Sequence, residues 1–250
     1  MIETREDAFL GGRLHIRQPI RGYRAGADPV FLAAAVPATS GQSVLELGCG
    51  VGTALCCLMA RVSEVSAVGI ERDTTHADLA RENCAQLDPT AEIVTADIFD
   101  LPTHVTNQVF DHVFFNPPFF DRSSGPKAPN PDREVGRGTD VTLGAWIDVA
   151  LKRLRPGGTL TLIHRVDWLP GAIVALGHRV GDIRVLPLQP RRGRNAKLFI
   201  LQAKKGSNAP FTLLPPLILH KGDVHIEDGD SYTDVVSDIL RNGAPLSLSN

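Results

Sequence analysis

Cysteine is scarce, and its spacing is wrong for metal. The four in this 250-residue chain are Cys49, Cys56, Cys57 and Cys84, with no C-x-x-C pair. That argues against a zinc site and a disulfide framework, and leaves small apolar thiols suited to a reducing compartment. No metal site is expected. Net charge is scarce too: 26 basic residues face 28 acidic ones, a balance of -2. Bulk charge is therefore not the main force that would hold this chain to nucleic acid, although a local basic patch still can. Long apolar runs are missing. Nothing approaches the ~18 residues that span a bilayer, and VFLAAAV at 30–36 is short. The opening MIETREDAFL is polar and acidic, without the basic n-region of a secretory signal. These absences point to a cytoplasmic protein with no membrane partner. Internal repeats and low-complexity segments are absent as well.

What is present suffices for one large α/β domain or two small ones. Seven segments read as strands: 43–48, 65–71, 92–97, 111–116, 159–164, 182–188 and 196–204. Apolar runs bounded by turn residues are the signal. Helical periodicity falls at about 52–61, 74–87, 143–158 and 168–177, with Pro156-Gly157-Gly158 as the stop of the third. Strands alternating with helices give a parallel doubly wound sheet. Only QPRRGRN separates the last two strands. That is too short for a crossover helix, so they pair as an antiparallel hairpin. The expected fold is α/β, a seven-strand Rossmann-like sheet, mostly parallel with a C-terminal antiparallel hairpin. It resembles the methyltransferase sheet rather than the dehydrogenase one. Three parts are expected: a capping segment over 1–40, the core over 41–205, and a C-terminal extension over 206–250 packed on the same domain.

In an open parallel sheet, ligands bind outside the carboxyl ends of the strands. Those ends carry Glu46, Glu71, Asp97 and Asn116. ELGCGVG (46–52) follows the first strand. Gly48 and Gly50 permit a tight turn and close approach of a ligand to backbone. The dinucleotide pattern G-x-G-x-x-G needs glycine at 53, and Thr53 stands there. A carboxylate at Glu71 can accept from ribose hydroxyls, and Asp97-Ile98 can flank an adenine ring.

The series E-x-G-x-G-x-G, an acid ending strand two and an aspartate ending strand three resembles the class I S-adenosylmethionine-dependent methyltransferases. The resemblance implies that Glu46, Gly48, Gly50 and Gly52 surround the methionine part of S-adenosyl-L-methionine. It implies that Glu71 holds the ribose, that Asp97 and Ile98 hold the adenine, and that Arg72 is among the cofactor-binding residues. The fourth strand ends in Asn116-Pro117-Pro118-Phe119. This is similar to the [N/D]-P-P-[Y/F] motif of methyltransferases that modify planar nitrogens. Such a nitrogen is a poor nucleophile, because its lone pair is delocalised. Acceptors on both N–H bonds, the Asn116 side-chain oxygen and the Pro117 carbonyl, draw charge back onto it. The prolines fix φ and hold the turn, and Phe119 offers a face for a flipped-out base. The sulfonium is a strong donor, so positioning can suffice without a strong base.

QPIRGYRAGADPVFLAAAVP (18–37) carries a helix start at Asp28-Pro29. It resembles the region before strand one in bacterial tRNA adenine-N6 methyltransferases that modify the base beside the anticodon. There it helps close the cofactor pocket, and Tyr23, Arg24 and Asp28 are the matching positions. The segments 131–143 and 232–243 resemble that family loosely. Residues 120–139 form a long loop with Arg122, Lys127, Arg133 and Arg137, read as a solvated loop or a lid over RNA. PRRGRNAK (190–197) puts Arg191, Arg192, Arg194 and Lys197 in one hairpin turn, either for solubility or for RNA phosphates. The resemblance implies an N-methyltransferase acting on adenine N6 of tRNA. Guanine N2 of RNA and a protein glutamine amide are the alternatives that share its chemistry. A cofactor-binding module without catalysis is the alternative of another class.

Overall fold

The computed structural model describes residues 2–22, 24–118, 142–222 and 231–249. Tyr23, Phe119 and the 120–139 loop lie outside the described residues. The chain opens with an antiparallel hairpin, β1 (Thr4–Phe9) and β2 (Leu14–Pro19), followed by α1 (Asp28–Ala35). Then come β3 (Ser43–Leu47), α2 (Thr53–Arg61), β4 (Ser66–Glu71), α3 (Thr74–Cys84), β5 (Glu92–Thr95), α4 (Thr103–Thr106) and β6 (Phe110–Phe115). The second half holds α5 (Leu143–Arg153), β7 (Leu154–Arg165), α6 (Leu169–Leu176), β8 (Val180–Gln189) and β9 (Leu198–Lys205). Two short strands, β10 (Thr212–Leu213) and β11 (Leu217–Ile218), and the helix α7 (Asp234–Asn242) close the chain.

The main sheet runs β10-β8-β9-β7-β6-β3-β4-β5, with β11 also on β8. β3 pairs parallel with both β4 and β6, so the strand order reverses between β3 and β6. That reversal opens a crevice at the carboxyl edge. β9 is antiparallel to β7 and to β8, as the short connection over 190–197 requires. The sheet has nine strands rather than seven, because β10 and β11 extend the β8 edge in parallel.

Alternation along the strands splits the core into two layers. On β3, Val44 joins the layer under α1, α2 and α3, while Leu45 and Leu47 join the layer under α5 and α6. Glu46 falls on the Val44 side by the two-residue period. α5 buries Leu143, Trp146, Ile147, Ala150 and Leu151, the one-sided stripe of an amphipathic helix. It ends at Arg153 rather than at 158, because Leu154 is already extended (φ -74°, ψ 136°) and pairs with Phe110. Pro156-Gly157-Gly158 is therefore an irregularity inside β7, not a helix stop. Gly158 is forced by crowding, since a Cβ there would lie 2.9 Å from the Asp111 carbonyl. The Asp28-Pro29 start shifts by one: Ala27 is the cap, and Asp28 lies in the first turn.

Candidate active site

A cavity of about 630 Å3 opens at the carboxyl ends of β3, β4, β5 and β6. It brings together Glu46, Gly48, Gly50, Glu71, Arg72, Asp97, Ile98, Asn116, Pro117 and Pro118. These residues come from four strand ends and the loops that follow them, and the sheet reversal gathers them. The β3–α2 loop turns at three left-handed glycines, Gly48 (φ 64°), Gly50 (φ 54°) and Gly52 (φ 82°). Two of them show a clear division of work. A Cβ on Gly48 would lie 2.6 Å from the Trp146 ring, whereas a Cβ on Gly50 would meet nothing within 4 Å. Gly48 is backed by packing, and Gly50 faces open space.

Glu71 is fixed from two directions. Its Oε2 accepts from the Gly50 amide at 2.9 Å and its Oε1 from the Asp73 amide at 2.8 Å. The carboxylate thereby ties the glycine loop to the start of α3. Asp73 caps that helix by accepting from the His76 amide at 2.9 Å, and this bond holds its carboxyl below the usual range. Asp97 accepts from the Phe99 amide at 2.9 Å. Glu46 is different. Burial pushes its carboxyl well above the usual carboxylate range, with Cys84 and Glu71 adding to the shift.

Several buried side-chain atoms have no hydrogen-bond partner, which is unusual in a folded interior. Among the described residues there are seven, and four belong to side chains that line this cavity: Glu46 Oε2, Thr53 Oγ1, Asn116 Oδ1 and Trp146 Nε1. The concentration marks a place built for a polar ligand. Trp146 comes from α5, where helical periodicity alone presents it as core. Its ring packs against Phe115 at 5.6 Å between centroids and against Gly48. Gln18 is a second unanticipated wall residue. It is buried, donates to Asp7 Oδ2 at 3.0 Å and accepts from the Ala25 amide at 2.8 Å. The signal for it was the alternation Leu14, Ile16, Gln18 behind Gly11-Gly12, a hairpin pattern.

Other sequence candidates lie elsewhere. Gly52 is off the cavity wall; a Cβ there would press on Ala80 at 3.3 Å, so it permits α2 to pack on α3. Arg24 points to Asp7 at 3.2 Å rather than into the cavity. Asp28 is also off the wall, half-buried, and burial raises its pKa. Arg191 turns inward: its guanidinium donates to the Lys221 and Gly222 carbonyls and to Ser231 Oγ. Arg192, Arg194 and Lys197 are exposed. Tyr23 and Phe119 fall outside the described residues.

Comparison with known proteins decides the family. The model of the methyltransferase small domain matches residues 27–183. This chain belongs to that family. It is an S-adenosylmethionine-dependent methyltransferase. The methyltransferase is 34% identical over 202 residues to a tRNA1(Val) (adenine(37)-N6)-methyltransferase of Porphyromonas gingivalis, covering 74% of this chain and 78% of that one. It is 31% identical over 161 residues to the Shewanella baltica protein of the same name, covering 62% of this chain and 66% of that one. A solved structure from Agrobacterium tumefaciens, described as a predicted O-methyltransferase, superposes with a TM-score of 0.69 at 25% identity. It covers 88% of this chain and 98% of that one. No helix among the described residues is long and apolar enough to cross a membrane.

Proposed function

We propose that this methyltransferase transfers a methyl group to N6 of an adenine in tRNA. The observation that carries the reading is Asn116 Oδ1, buried and without a partner, on a Pro-Pro turn in the wall of the cavity. An unsatisfied buried acceptor needs a donor to arrive with the ligand. An exocyclic amine brings two N–H bonds, one for Asn116 Oδ1 and one for the Pro117 carbonyl. A hydroxyl brings one hydrogen and leaves the second acceptor idle, which favours nitrogen over oxygen as the methylated atom. The relatives in Porphyromonas and Shewanella carry names that specify adenine N6 of a tRNA, which supports the choice of base.

The cavity residues suit the cofactor. Glu46 Oε2 is an acceptor for its cationic end, and the Thr53 hydroxyl is a donor for its carboxylate. Glu71 keeps lone pairs free for ribose hydroxyls beyond its two backbone bonds. Asp97 and Ile98 border the adenine end, with Arg72 at the mouth. When bound, the cofactor supplies a methyl on a sulfonium, an electrophile strong enough to need no metal. Asn116 and Pro117 then orient the amine and pull charge onto its nitrogen. Pro117 and Pro118 keep that turn from relaxing, so the geometry is set before the substrate enters. The C–S bond breaks as the N–C bond forms, S-adenosylhomocysteine leaves, and the methylated nitrogen, cationic after the transfer, loses a proton to water. Phe119 serves as the stacking face for the flipped base, and Tyr23 helps close the pocket. Arg24 contributes at one remove, through Asp7 and Gln18. The cytoplasm is the proposed compartment, and Arg192, Arg194 and Lys197 are proposed to meet RNA phosphates.

The test is direct. Unmodified tRNA, ribosomal RNA and a release factor are each incubated with methyl-labelled cofactor, then digested to nucleosides or peptides. Label in N6-methyladenosine from tRNA is expected. Label in N2-methylguanosine or a glutamine amide would overturn the substrate.

A further inference from the structure

Among the described residues most arginines are engaged. Eight of them are in ion pairs with carboxylates. Arg13, Arg61, Arg153 and Arg191 donate to backbone carbonyls. The guanidinium groups of Arg21, Arg72, Arg192 and Arg194 make no hydrogen bond or ion pair among the described residues.

These four share one edge of the molecule. Arg72 follows β4 directly. Arg192 and Arg194 occupy the β8–β9 turn. Because Leu198 of β9 pairs antiparallel with Arg165 at the end of β7, that turn sits at the carboxyl edge too. Arg21 lies just beyond β2, which climbs α3 toward its start: the His15 amide bonds Gln86 and the Arg17 amide bonds Asn83. Gln18 and Ala25, on either side of Arg21 in sequence, both line the cavity. The cations therefore fall into two groups. Arg21 and Arg72 stand on the β4–α3 flank. Arg192 and Arg194, with the exposed Lys197, stand on the β9–β8 flank, and the Asn116 turn lies between.

Arg191 gives this arrangement a purpose. Its three bonds to Lys221, Gly222 and Ser231 brace the turn, so its neighbours are held in place. A turn charged only for solubility needs no brace. From β4 to β9 there are four strand steps, about 20 Å at ~4.8 Å each. A stacked nucleic-acid strand rises ~3.4 Å per nucleotide, so about six nucleotides span the gap.

We propose that the two cationic groups are the ends of one seat for the phosphate backbone of the RNA substrate. The strand lies across the carboxyl edge, and the reacting nucleotide sits at its middle, over Asn116. This rests on the reading of RNA as substrate, but not on which atom of the base is methylated.

The experiment measures equilibrium binding of an unmodified tRNA transcript to the full chain across a salt series. S-adenosylhomocysteine is present so that no turnover occurs. Each phosphate contact contributes ~0.7 to 0.9 to the slope of log affinity against log salt. Arg192→Ala/Arg194→Ala/Lys197→Ala should lower the slope by about 2 to 3 and weaken binding at least tenfold. Arg21→Ala should lower it by about 1. The control is Lys152→Ala/Lys204→Ala, two exposed cations at the opposite edge, which should leave binding unchanged. Calorimetry with S-adenosylmethionine and thermal melts should match wild type for all of these variants. Wild-type slopes in the triple variant, an equal loss in the Lys152/Lys204 control, or no salt-dependent binding by wild type would each overturn the seat. If binding behaves as expected but no label reaches adenine N6, the choice of atom fails and the seat stands.

Discussion

Gly48 and Gly50 sit two residues apart in one loop, yet alanine should fail at each for a different reason. At Gly48 the new Cβ would lie 2.6 Å from Trp146 Cη2 and 3.0 Å from Cζ3. Trp146 is only 8% exposed and packs on Phe115, so it cannot step aside. The left-handed backbone adds about 1 kcal/mol, and overpacking adds roughly 1 to 3 kcal/mol. For a chain of this size each kcal/mol moves Tm by about 2 to 4 °C. Gly48→Ala should therefore melt about 5 to 15 °C lower than wild type. At Gly50 nothing lies within 4 Å of the new methyl, so only the left-handed strain of about 1 kcal/mol applies. Gly50→Ala should melt within about 4 °C of wild type. Its methyl, however, points into space the cofactor is proposed to occupy. Calorimetry should show at least a tenfold loss of S-adenosylmethionine affinity. Wild-type affinity in Gly50→Ala would refute the cradle, and a wild-type Tm in Gly48→Ala would refute the backing by Trp146.

Three further outcomes are expected. Glu71→Ala removes the acceptor of two amides as well as the ribose partner, so affinity for S-adenosylmethionine should fall at least tenfold by calorimetry; unchanged affinity would remove Glu71 from the site. Asp7→Ala breaks the link from Arg24 to Gln18 and should raise the cofactor Kd several-fold with kcat nearly unchanged, whereas a fall in kcat alone would contradict a role at the pocket wall. His112 is pushed down to about 4 by burial, against about 6.5 in an unfolded chain. Between those values the unfolded state binds more protons, so stability rises with pH and is lost as pH falls from about 6.5 toward 4. Melts of wild type and His112→Gln across that window should converge as pH falls, and parallel curves would show that His112 does not titrate on unfolding.

The sheet was legible because its strands are apolar runs flanked by turn residues. β3, β4, β6 and β9 are continuous stretches of this kind, and the short QPRRGRN connection before the last strand admitted only a hairpin. The carboxylates at strand ends could be read for the same reason: a period of one βα unit puts them on one edge. Elements that depend on distant packing were not legible. The β1–β2 hairpin is short and charged on its outer face, and its inward residues find their partners on α2 and α3. Helical periodicity in α5 carried on past Arg153, but the pairing of Leu154 with Phe110 overrode it. Trp146 looked like core, because nothing local says that its indole nitrogen goes unpartnered beside Gly48. Arg24 and Arg191 looked like ligand contacts, and only the fold reveals Asp7 and the 221–231 carbonyl and hydroxyl groups as their partners. Gly52 looked like part of the cradle, and its neighbour turned out to be Ala80.

The central claim is that Asn116 Oδ1 accepts from the amine that is methylated. Single-turnover methylation of tRNA by Asn116→Ala tests it, with cofactor affinity measured in parallel. Removing one positioned polar partner at a reacting centre slows chemistry by about 100- to 1,000-fold. The predicted result is a loss of that size with the S-adenosylmethionine Kd within about threefold of wild type. A rate equal to wild type would contradict the account.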